Sequence, residues 1–423
     1  MKSPLTLWLE KQGNWLLTFF ISMSAFATYF CIYSLRKPFT AAIFEGYTLW
    51  SIDYKIVLVI AHVFGYATAK GLGIQFISSL KPENRASVIL KCVLFSLASL
   101  FFFAIVPPPY NFVFMYFNGL PVGFCYGLVL SYLEGRKITE ILGAFLTISF
   151  ITAAGFVKSV GRWLIQTWHS SDFWMPFWAG AIFLPFILLF LWLLNQSPAP
   201  TSEDEKSRTA RVPMTKADRR HFFQLIAPGA ISLILMYLMI TILRDIRENF
   251  AVEIFKELKI TDLSVFTYTE LVIGLSIILL TGLLFIVQNN RKAFWLNLTF
   301  IGAGFLLIIG STWGLEHGYC SPIVWMTLLG LGIYLGYVPY NCTLFERMIA
   351  VMKERSNINF MLYLADFIAY LGSVGVMLYK NFGNKGISWL KFYTQLAYIF
   401  PVISIGLMVF TFWYFKKVFN VKL

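Results

Sequence analysis

Residues 173–194 read FWMPFWAGAIFLPFILLFLWLL, a run of 22 residues without a charged side chain. A helix needs about 20 apolar residues to cross the hydrocarbon core of a bilayer, so this stretch predicts a membrane span. The next stretch, 195–223, is polar and contains Pro198, Pro200 and the acidic triplet 203–205 ahead of a series of basic residues. As the only long polar connection in the sequence, it predicts a cytoplasmic linker between two halves of a membrane protein.

The composition of the whole chain agrees with this interpretation. Of its 423 residues, 58% are apolar and only 13% are charged, against a usual charged share of about 25%. This high apolar content excludes a disordered chain. It also argues against a soluble enzyme, because so much apolar surface could not be hidden from water. The sequence shows no metal-ligand spacing, nucleophile elbow or phosphate-binding loop. We therefore expect no enzyme, and no metal or other cofactor.

Apolar runs of sufficient length recur along the chain and predict twelve transmembrane helices. We expect an all-α polytopic membrane protein with two six-helix bundles, 1–194 and 224–423, joined by the linker 195–223. The predicted spans are 14–44, 54–77, 86–106, 111–133, 141–167, 173–194, 224–250, 262–287, 293–312, 321–345, 357–380 and 388–415.

The distribution of Lys and Arg predicts the orientation of these spans. With the N-terminus inside, the connections on the cytoplasmic side hold most of the basic residues, which is the usual bias of membrane proteins. We expect both termini in the cytoplasm, in a bacterial cytoplasmic membrane. These loops also explain the net charge of +13. The expected partners are the lipid bilayer and, because of the cations inside the spans described below, a small anionic solute. We expect a monomer and no nucleic-acid partner.

The two predicted bundles resemble each other in sequence. The pattern Arg-x-x-Phe-x-x-x-Ile-Phe begins at Arg36 and again at Arg247. A Tyr also lies seven residues before Arg36 and seven residues before Arg244. These matches differ in register by three residues, so both Arg244 and Arg247 stay open as the partner of Arg36.

Charged residues inside the predicted spans indicate a cavity. Each costs about 2.5–3.5 kcal/mol at the bilayer centre, so it should face protein or water. The third, sixth, ninth and twelfth spans hold no such charge deep inside, which is typical of helices that face lipid. The charges are Arg36, Lys70, Lys158, Arg162, Arg244, Arg247, Glu270 and Asp366.

Tyrosines and a histidine recur at helical spacing beside several of these charges and predict shared polar faces. Because guanidinium groups pair bidentately with carboxylate or phosphate oxygens, a wet cavity lined in this way favours an anionic solute. The candidate solute-binding residues are Arg36, Lys70, Arg244, Arg247, Tyr29, His62, Tyr66 and Tyr237. The candidate coupling or counter-ion residues are Glu270 and Asp366.

Local interpretations of the same residues stay open. Arg36 is also explained as a helix end that extends to the outer headgroups. Glu270 and Asp366 are also explained as fixed counter-ions. Arg244 and Arg247 are also explained by local ion pairs with Asp245 and Glu248, and His62 is also explained as a structural residue. Lys158 and Arg162 are also explained as an outer gate or a structural pair. The cluster of Tyr334, Tyr337 and Tyr340 is also explained by simple packing.

Three short stretches resemble a known family. Residues 29–39 read YFCIYSLRKPF, residues 65–70 read GYATAK, and Leu243 precedes Arg244. The chain resembles the major facilitator superfamily and, within it, the organophosphate:phosphate antiporters, whose first, second and seventh helices carry similar stretches. The resemblance implies the major facilitator fold and contacts of Arg36, Arg244 and Lys70 with phosphate oxygens. The Asp of the superfamily's cytoplasmic signature is absent from residues 73–81.

From these observations we expect a secondary active transporter of a small anionic solute, an organophosphate exchanged for phosphate, that works by rocker-switch alternating access. Arg36 and Arg244 would hold the anion from opposite bundles. A proton-coupled anion symporter that uses Glu270 or Asp366 and a transporter-like organophosphate sensor also stay open. The candidate gating residues are Arg85, Glu134, Glu346 and Arg347.

Overall fold

The computed structural model describes residues 3–133, 139–199, 216–260, 262, 264–352, 358–383 and 386–421, and these are almost entirely helical. The first half of the chain contains α1 (Pro4–Leu9), α2 (Asn14–Ile32), α3 (Tyr54–Ser79), α4 (Arg85–Ile105), α5 (Val113–Leu133), α6 (Thr139–Gln166) and α7 (Met175–Asn195). The second half contains α8 (Lys216–Glu257), α9 (Ser264–Ile286), α10 (Asn290–Glu316), α11 (Pro322–Cys342), α12 (Leu344–Met352), α13 (Ile358–Gly383) and α14 (Trp389–Val421).

Short elements join the helices of the first half. The strands β1 (Thr48–Leu49) and β2 (Ile52–Asp53) form an antiparallel hairpin ahead of α3. The two residues between these strands, at positions 50 and 51, have φ angles of 52° and 60°, which is the turn that suits the twist of a two-residue hairpin. Turns of 3₁₀ helix lie at Tyr33–Leu35, Pro38–Ala41, Pro82–Asn84 and Tyr110–Phe112.

A helix lies at each of the twelve predicted spans. Among the described residues, eleven helices are long and apolar enough to cross a membrane. The helix at the eleventh predicted span, α13, is not among them, and it carries Asp366 and Lys380. The prediction of an all-α polytopic membrane protein is confirmed.

The structure corrects the ends of two predicted spans. The first was expected to continue to residue 44, but α2 ends at Ile32 and the chain passes into 3₁₀ turns. Pro38 lacks a backbone N–H and restricts the residue before it, so a continuous α-helix through this position is unfavourable. The tenth predicted span, 321–345, is divided between α11 and α12, because Thr343 has non-helical backbone angles.

The chain forms two compact units. Unit 1 comprises Met1–Arg208 and Thr261–Leu271, and unit 2 comprises Thr209–Ile260 and Val272–Leu423. The first part of α9 is therefore grouped with unit 1, although the predicted boundary at residue 224 placed all of this helix in the second bundle. Residues 200–215 of the predicted linker lie outside the described residues.

In unit 1, α3 and α5 approach each other closely at glycines. A methyl group on Gly65 would lie 2.2 Å from the carbonyl oxygen of Tyr116, and one on Gly119 would lie 2.3 Å from the carbonyl oxygen of His62. Small residues let helix backbones come this close in a membrane, where dispersion contacts replace the hydrophobic effect as the main attraction between helices. This packing fixes the face of α3 that carries the predicted polar stripe.

In unit 2, glycines again allow close packing, here between α10 and α11. A methyl group on Gly304 would lie 2.4 Å from the carbonyl oxygen of Gly332. Helices α8 and α14 are joined by a hydrogen bond of 2.6 Å between the hydroxyls of Ser232 and Thr411. Such interhelical bonds are typical of membrane bundles.

The short helix α1 is held against the end of α7. The Thr6 hydroxyl donates to the carbonyl oxygen of Gln196 at 3.1 Å, and the Ser3 hydroxyl donates to the side-chain oxygen of Gln196. Trp8 of the same helix is half exposed. Helix α1 and the residue before it are thus hydrogen-bonded to Gln196, near the start of the predicted linker.

Candidate functional site

Arg36 lies where the chain leaves α2. It comes directly after the 3₁₀ turn Tyr33–Leu35, and the backbone at this point is held by Asn118 of α5. The Asn118 amide donates to the carbonyl oxygen of Leu35 at 3.1 Å and to the Ser96 hydroxyl at 2.6 Å. Asn118 is completely buried. The guanidinium therefore projects from a backbone that two neighbouring helices fix in place.

The side chains of Arg36 and Lys70 share one tyrosine. The Arg36 Cζ atom lies 4.3 Å from the centre of the Tyr66 ring, and the Lys70 Nζ atom lies 5.5 Å from the same ring centre. Arg36 also donates through Nη1 to the Tyr33 hydroxyl at 3.2 Å. Lys70 lies 5.4 Å from the ring of Tyr126. The structure thus brings the predicted residues Arg36, Tyr66 and Lys70 together in unit 1.

Tyr29 completes this group. Its ring centre lies 5.9 Å from that of Tyr33 and 5.3 Å from that of Tyr126, with edge-to-face angles of 67° and 70°. Cations over tyrosine rings are attracted by the ring quadrupole, most strongly where water is excluded. Sequence reasoning missed Tyr126, because the residue of α5 that faces α3 is determined by helix packing. We call these residues the cation–tyrosine cluster: Tyr29, Tyr33, Arg36, Tyr66, Lys70 and Tyr126.

His62 lies one turn before Tyr66 on α3 and is buried. Its ring centre lies 5.6 Å from that of Phe39. Its Nε2 atom has no hydrogen-bond partner in the part of the chain that the structure describes. His62 therefore lies on the predicted polar face of α3, and its ring packs against the 3₁₀ turn Pro38–Ala41.

Glu270 lies against α6 within unit 1. A methyl group on Gly155 of α6 would lie 2.5 Å from the Glu270 Cγ atom. One turn farther along α6, the Ser159 hydroxyl accepts a hydrogen bond of 2.8 Å from Thr267. Lys158, also on α6, is buried. The predicted coupling residue Glu270 is thus placed with the first unit.

Arg244 has carboxylate neighbours on its own helix in unit 2. Its Nη2 atom lies 2.7 Å from Asp245 Oδ1, and its Nε atom lies 3.8 Å from Glu248 Oε1. Its Cζ atom lies 4.2 Å from the centre of the Tyr337 ring. The Tyr334 hydroxyl donates to Glu248 Oε1 at 3.0 Å. The interpretation of a local ion pair is therefore correct for Arg244.

Tyr237 connects this ion pair to α13. Its hydroxyl donates to Asp366 Oδ1 at 2.6 Å. Its ring stacks on Tyr337 with centres 5.4 Å apart and lies 5.0 Å from the ring of Tyr340. We call these residues the tyrosine–carboxylate cluster: Tyr237, Arg244, Asp245, Glu248, Tyr334, Tyr337, Tyr340 and Asp366.

Arg247 turns toward α11. Its Nη2 atom donates to the carbonyl oxygen of Met326 at 3.3 Å, and a methyl group on Gly330 would lie 2.7 Å from its Cζ atom. Arg247 is 3% exposed. Arg244 thus contacts Asp245 and the Tyr337 ring, and Arg247 contacts the carbonyl oxygen of Met326. Which of the two arginines is the partner of Arg36 stays open.

Two of the predicted gating residues, Arg85 and Arg347, make hydrogen bonds to residues outside these clusters. Arg85 donates to the carbonyl oxygen of Ser131 at 3.0 Å, and its expected partner Glu134 lies outside the described residues. Arg347 donates to Asn290 Oδ1 at 2.8 Å, and Glu346 precedes it on α12. Their role as gates stays a prediction.

Comparison with known proteins identifies the family and the fold. No curated protein matches the chain. A solved D-xylose-proton symporter is 15% identical, with a TM-score of 0.59 over 93% of this chain and 96% of that chain. The nucleoside transporter NupG is 16% identical, with a TM-score of 0.61 over 95% of this chain and 99% of that chain. A point mutant of NupG gives 16% identity and a TM-score of 0.60 over 94% of this chain and 100% of that chain.

These structures share the major facilitator architecture, so the predicted fold is confirmed, while the resemblance to organophosphate:phosphate antiporters stays a prediction. A family model described as "Family of unknown function (DUF5690)" matches residues 38–418. This protein therefore belongs to the DUF5690 family and has the fold of major facilitator transporters.

Proposed function

We propose that the protein is a secondary transporter that moves a small anionic solute across a membrane by alternating access. Its fold, similar to that of sugar and nucleoside transporters, supports a transporter. The anionic solute is supported chiefly by one observation, which is the placement of both Arg36 and Lys70 beside the Tyr66 ring.

The cation–tyrosine cluster has the chemistry that an anion needs. A guanidinium offers two parallel N–H donors to a carboxylate or phosphate, and an ammonium adds a compact charge. The Tyr66 ring lies near both of these cations. A phosphate ester is the solute that the sequence resemblance favours, with its phosphate against Arg36. That Arg36 and Arg244 hold the same anion stays a prediction.

Transport by counterflow tests this proposal. Purified protein is reconstituted in liposomes loaded with inorganic phosphate or glycerol 3-phosphate, and entry of the labelled compound is measured. We expect Arg36→Ala to abolish counterflow and Lys91→Ala, which removes an exposed cation on α4, to preserve it. Counterflow at the wild-type rate in Arg36→Ala would reject the proposed site.

Binding measurements separate transport from sensing. A thermal-shift screen of small anions identifies compounds that stabilise the protein, because a ligand that binds only the folded state raises its stability. Saturable binding with no flux in liposomes would favour a solute sensor over a transporter.

A proton-coupled symporter is the second candidate, and Asp366 favours it. Asp366 is 6% exposed and accepts a hydrogen bond from Tyr237 at 2.6 Å. A buried carboxylate that binds and releases a proton could couple transport to a pH gradient. We expect Asp366→Asn to abolish stimulation of uptake by an inward proton gradient while counterflow continues. Uptake by the wild type that ignores the gradient would exclude this candidate.

A further inference from the structure

His62 carries a buried polar atom that the described residues leave unused. The residue is 5% exposed, and its Nε2 atom has no hydrogen-bond partner among the residues that the structure describes. Buried polar groups are nearly always hydrogen-bonded in folded proteins, so this atom requires an explanation. A histidine nitrogen accepts a hydrogen bond or a proton when it is bare and donates a hydrogen bond once it is protonated.

His62 lies on the same face of α3 as part of the cation–tyrosine cluster. His62, Tyr66 and Lys70 succeed one another at intervals of four residues along the helix. The Arg36 Cζ atom lies 4.3 Å from the centre of the Tyr66 ring, one helical turn from His62. The His62 ring also packs against Phe39, three residues after Arg36. His62 and the proposed anion site therefore lie together within unit 1.

The charged residues on the elements around His62 are all cations. Arg36 and Lys37, in the turns after α2, act on His62 most strongly. Helix α3 adds Lys55 and Lys70, and α5, which packs closely against this part of α3, contains no charged residue. The tyrosines and the cysteine of these elements ionise only above about pH 8. A further positive charge on His62 is unfavourable beside these cations, whereas an anion bound at Arg36 would favour it.

We propose that His62 takes up a proton from solution when an anion binds at Arg36. This inference rests on the proposed function, in which the cation–tyrosine cluster binds the anionic group. The bound anion supplies the negative charge that a protonated His62 needs, and protonation turns the Nε2 atom into a donor. Unit 1 then binds the solute together with a proton. Proton coupling in this form differs from the second candidate function, in which Asp366 of unit 2 carries the proton.

The pH dependence of sulfate binding tests this proposal. Sulfate is a suitable probe, because its own protonation does not change between about pH 5.5 and pH 7.5, the range in which histidine titrates. At both ends of this range, the sulfate concentration that gives half of the maximal thermal shift is measured on the purified protein. Because uptake of a proton makes the anion bind more tightly at the lower pH, we expect this concentration to be about tenfold lower there.

Variants assign this pH dependence to one residue. His62→Gln keeps a polar side chain that does not titrate, so we expect it to bind sulfate equally at both pH values. His317→Gln is the matched control, because it removes an exposed histidine of unit 2 and should keep the wild-type difference. Asp366→Asn should also keep this difference, since Asp366 belongs to unit 2.

Proton uptake is also measurable without a variant of His62, which matters if His62→Gln does not fold. Sulfate is added to the protein in weakly buffered solution near neutral pH, and the change in pH is recorded. We expect the wild type and Asp366→Asn to take up a proton on binding sulfate, and Arg36→Ala to take up none. Absence of uptake in the wild type or in Asp366→Asn overturns the inference.

The outcomes for the two proposals are distinct. Equal sulfate binding at both pH values in the wild type overturns the inference, as does a pH dependence that persists in His62→Gln or disappears in Asp366→Asn. Failure of the proposed function would appear instead as wild-type sulfate binding in Arg36→Ala. A wild type that sulfate stabilises at neither pH would contradict both proposals.

Discussion

The two clusters begin from the same pattern, a tyrosine seven residues before an arginine, and differ in the residues that come after the arginine. After Arg36 the chain continues with Lys37 and Pro38, leaves the α-helix, and places the arginine over tyrosine rings. After Arg244 comes Asp245 on a helix that continues to a kink at Phe250, and the arginine pairs with Asp245 at 2.7 Å. The comparison teaches that the spacing of a repeat sets the position of an arginine, whereas its immediate neighbours determine which side chains it contacts.

The largest effect on stability is expected from breaking the ion pair between Arg244 and Asp245 in unit 2. Arg244→Ala leaves the buried carboxylate of Asp245 without its closest cation, and loss of one partner of a buried pair costs about 3–5 kcal/mol. We expect a large fall in the thermal unfolding midpoint in detergent. The double variant Arg244→Ala/Asp245→Ala should recover much of it. If both variants are equally unstable, the pair does not account for the loss.

The second effect concerns binding in unit 1. Arg36→Ala should weaken binding of the anion found in the thermal-shift screen by about 1.5–3 kcal/mol, roughly ten- to hundredfold, because a charge-assisted hydrogen bond is lost. Arg36→Lys keeps the charge but loses the planar pair of donors, so its affinity should fall between those of the wild type and Arg36→Ala. An unchanged affinity in Arg36→Ala would contradict the assignment of the anion to the cation–tyrosine cluster.

The third effect tests the close packing of α3 against α5 next to Tyr66. Gly65→Ala would force a methyl group to within 2.2 Å of the Tyr116 carbonyl oxygen, and such overpacking costs about 1–3 kcal/mol. Gly71→Ala on the same helix is the control, because nothing lies within 4 Å of its added methyl. We expect a lower unfolding midpoint only for Gly65→Ala. Equal midpoints would show that α3 and α5 can separate without cost.

The smallest effect on stability is expected from removing a single hydroxyl in unit 2. Tyr237→Phe deletes the donor to Asp366, and hydrogen bonds between membrane helices contribute on average about 0.6 kcal/mol and at most about 1.7 kcal/mol. We expect a small drop in the unfolding midpoint. The double variant Tyr237→Phe/Asp366→Asn should lower the midpoint by less than the sum of the two single variants. Strictly additive changes in the midpoint would show that this hydrogen bond contributes nothing to stability.

Hydropathy was sufficient to predict the helical architecture, because the bilayer requires long apolar helices whatever their partners. Helical spacing also predicted the shared face of Tyr66 and Lys70, which lie one turn apart on α3. Neither pattern could predict Tyr126 or Asn118, since the face that α5 turns toward its neighbours is set by contacts at Gly65 and other glycines. These contacts join residues that lie far apart in the sequence.

The sequence could not decide, for a different reason, whether Arg244 pairs with Asp245. Adjacent residues on a helix point about 100° apart, so helical periodicity alone does not place their side chains together. In the structure, Arg244 Nη2 lies 2.7 Å from Asp245 Oδ1. Only the three-dimensional structure distinguishes this conformation from one in which the guanidinium extends toward Tyr337 alone.

The attachment of α1 to Gln196 has a practical consequence for protein preparation. The hydroxyls that make this attachment belong to Ser3 and Thr6, so sequence changes introduced for purification or labelling are best kept away from residues 3–9.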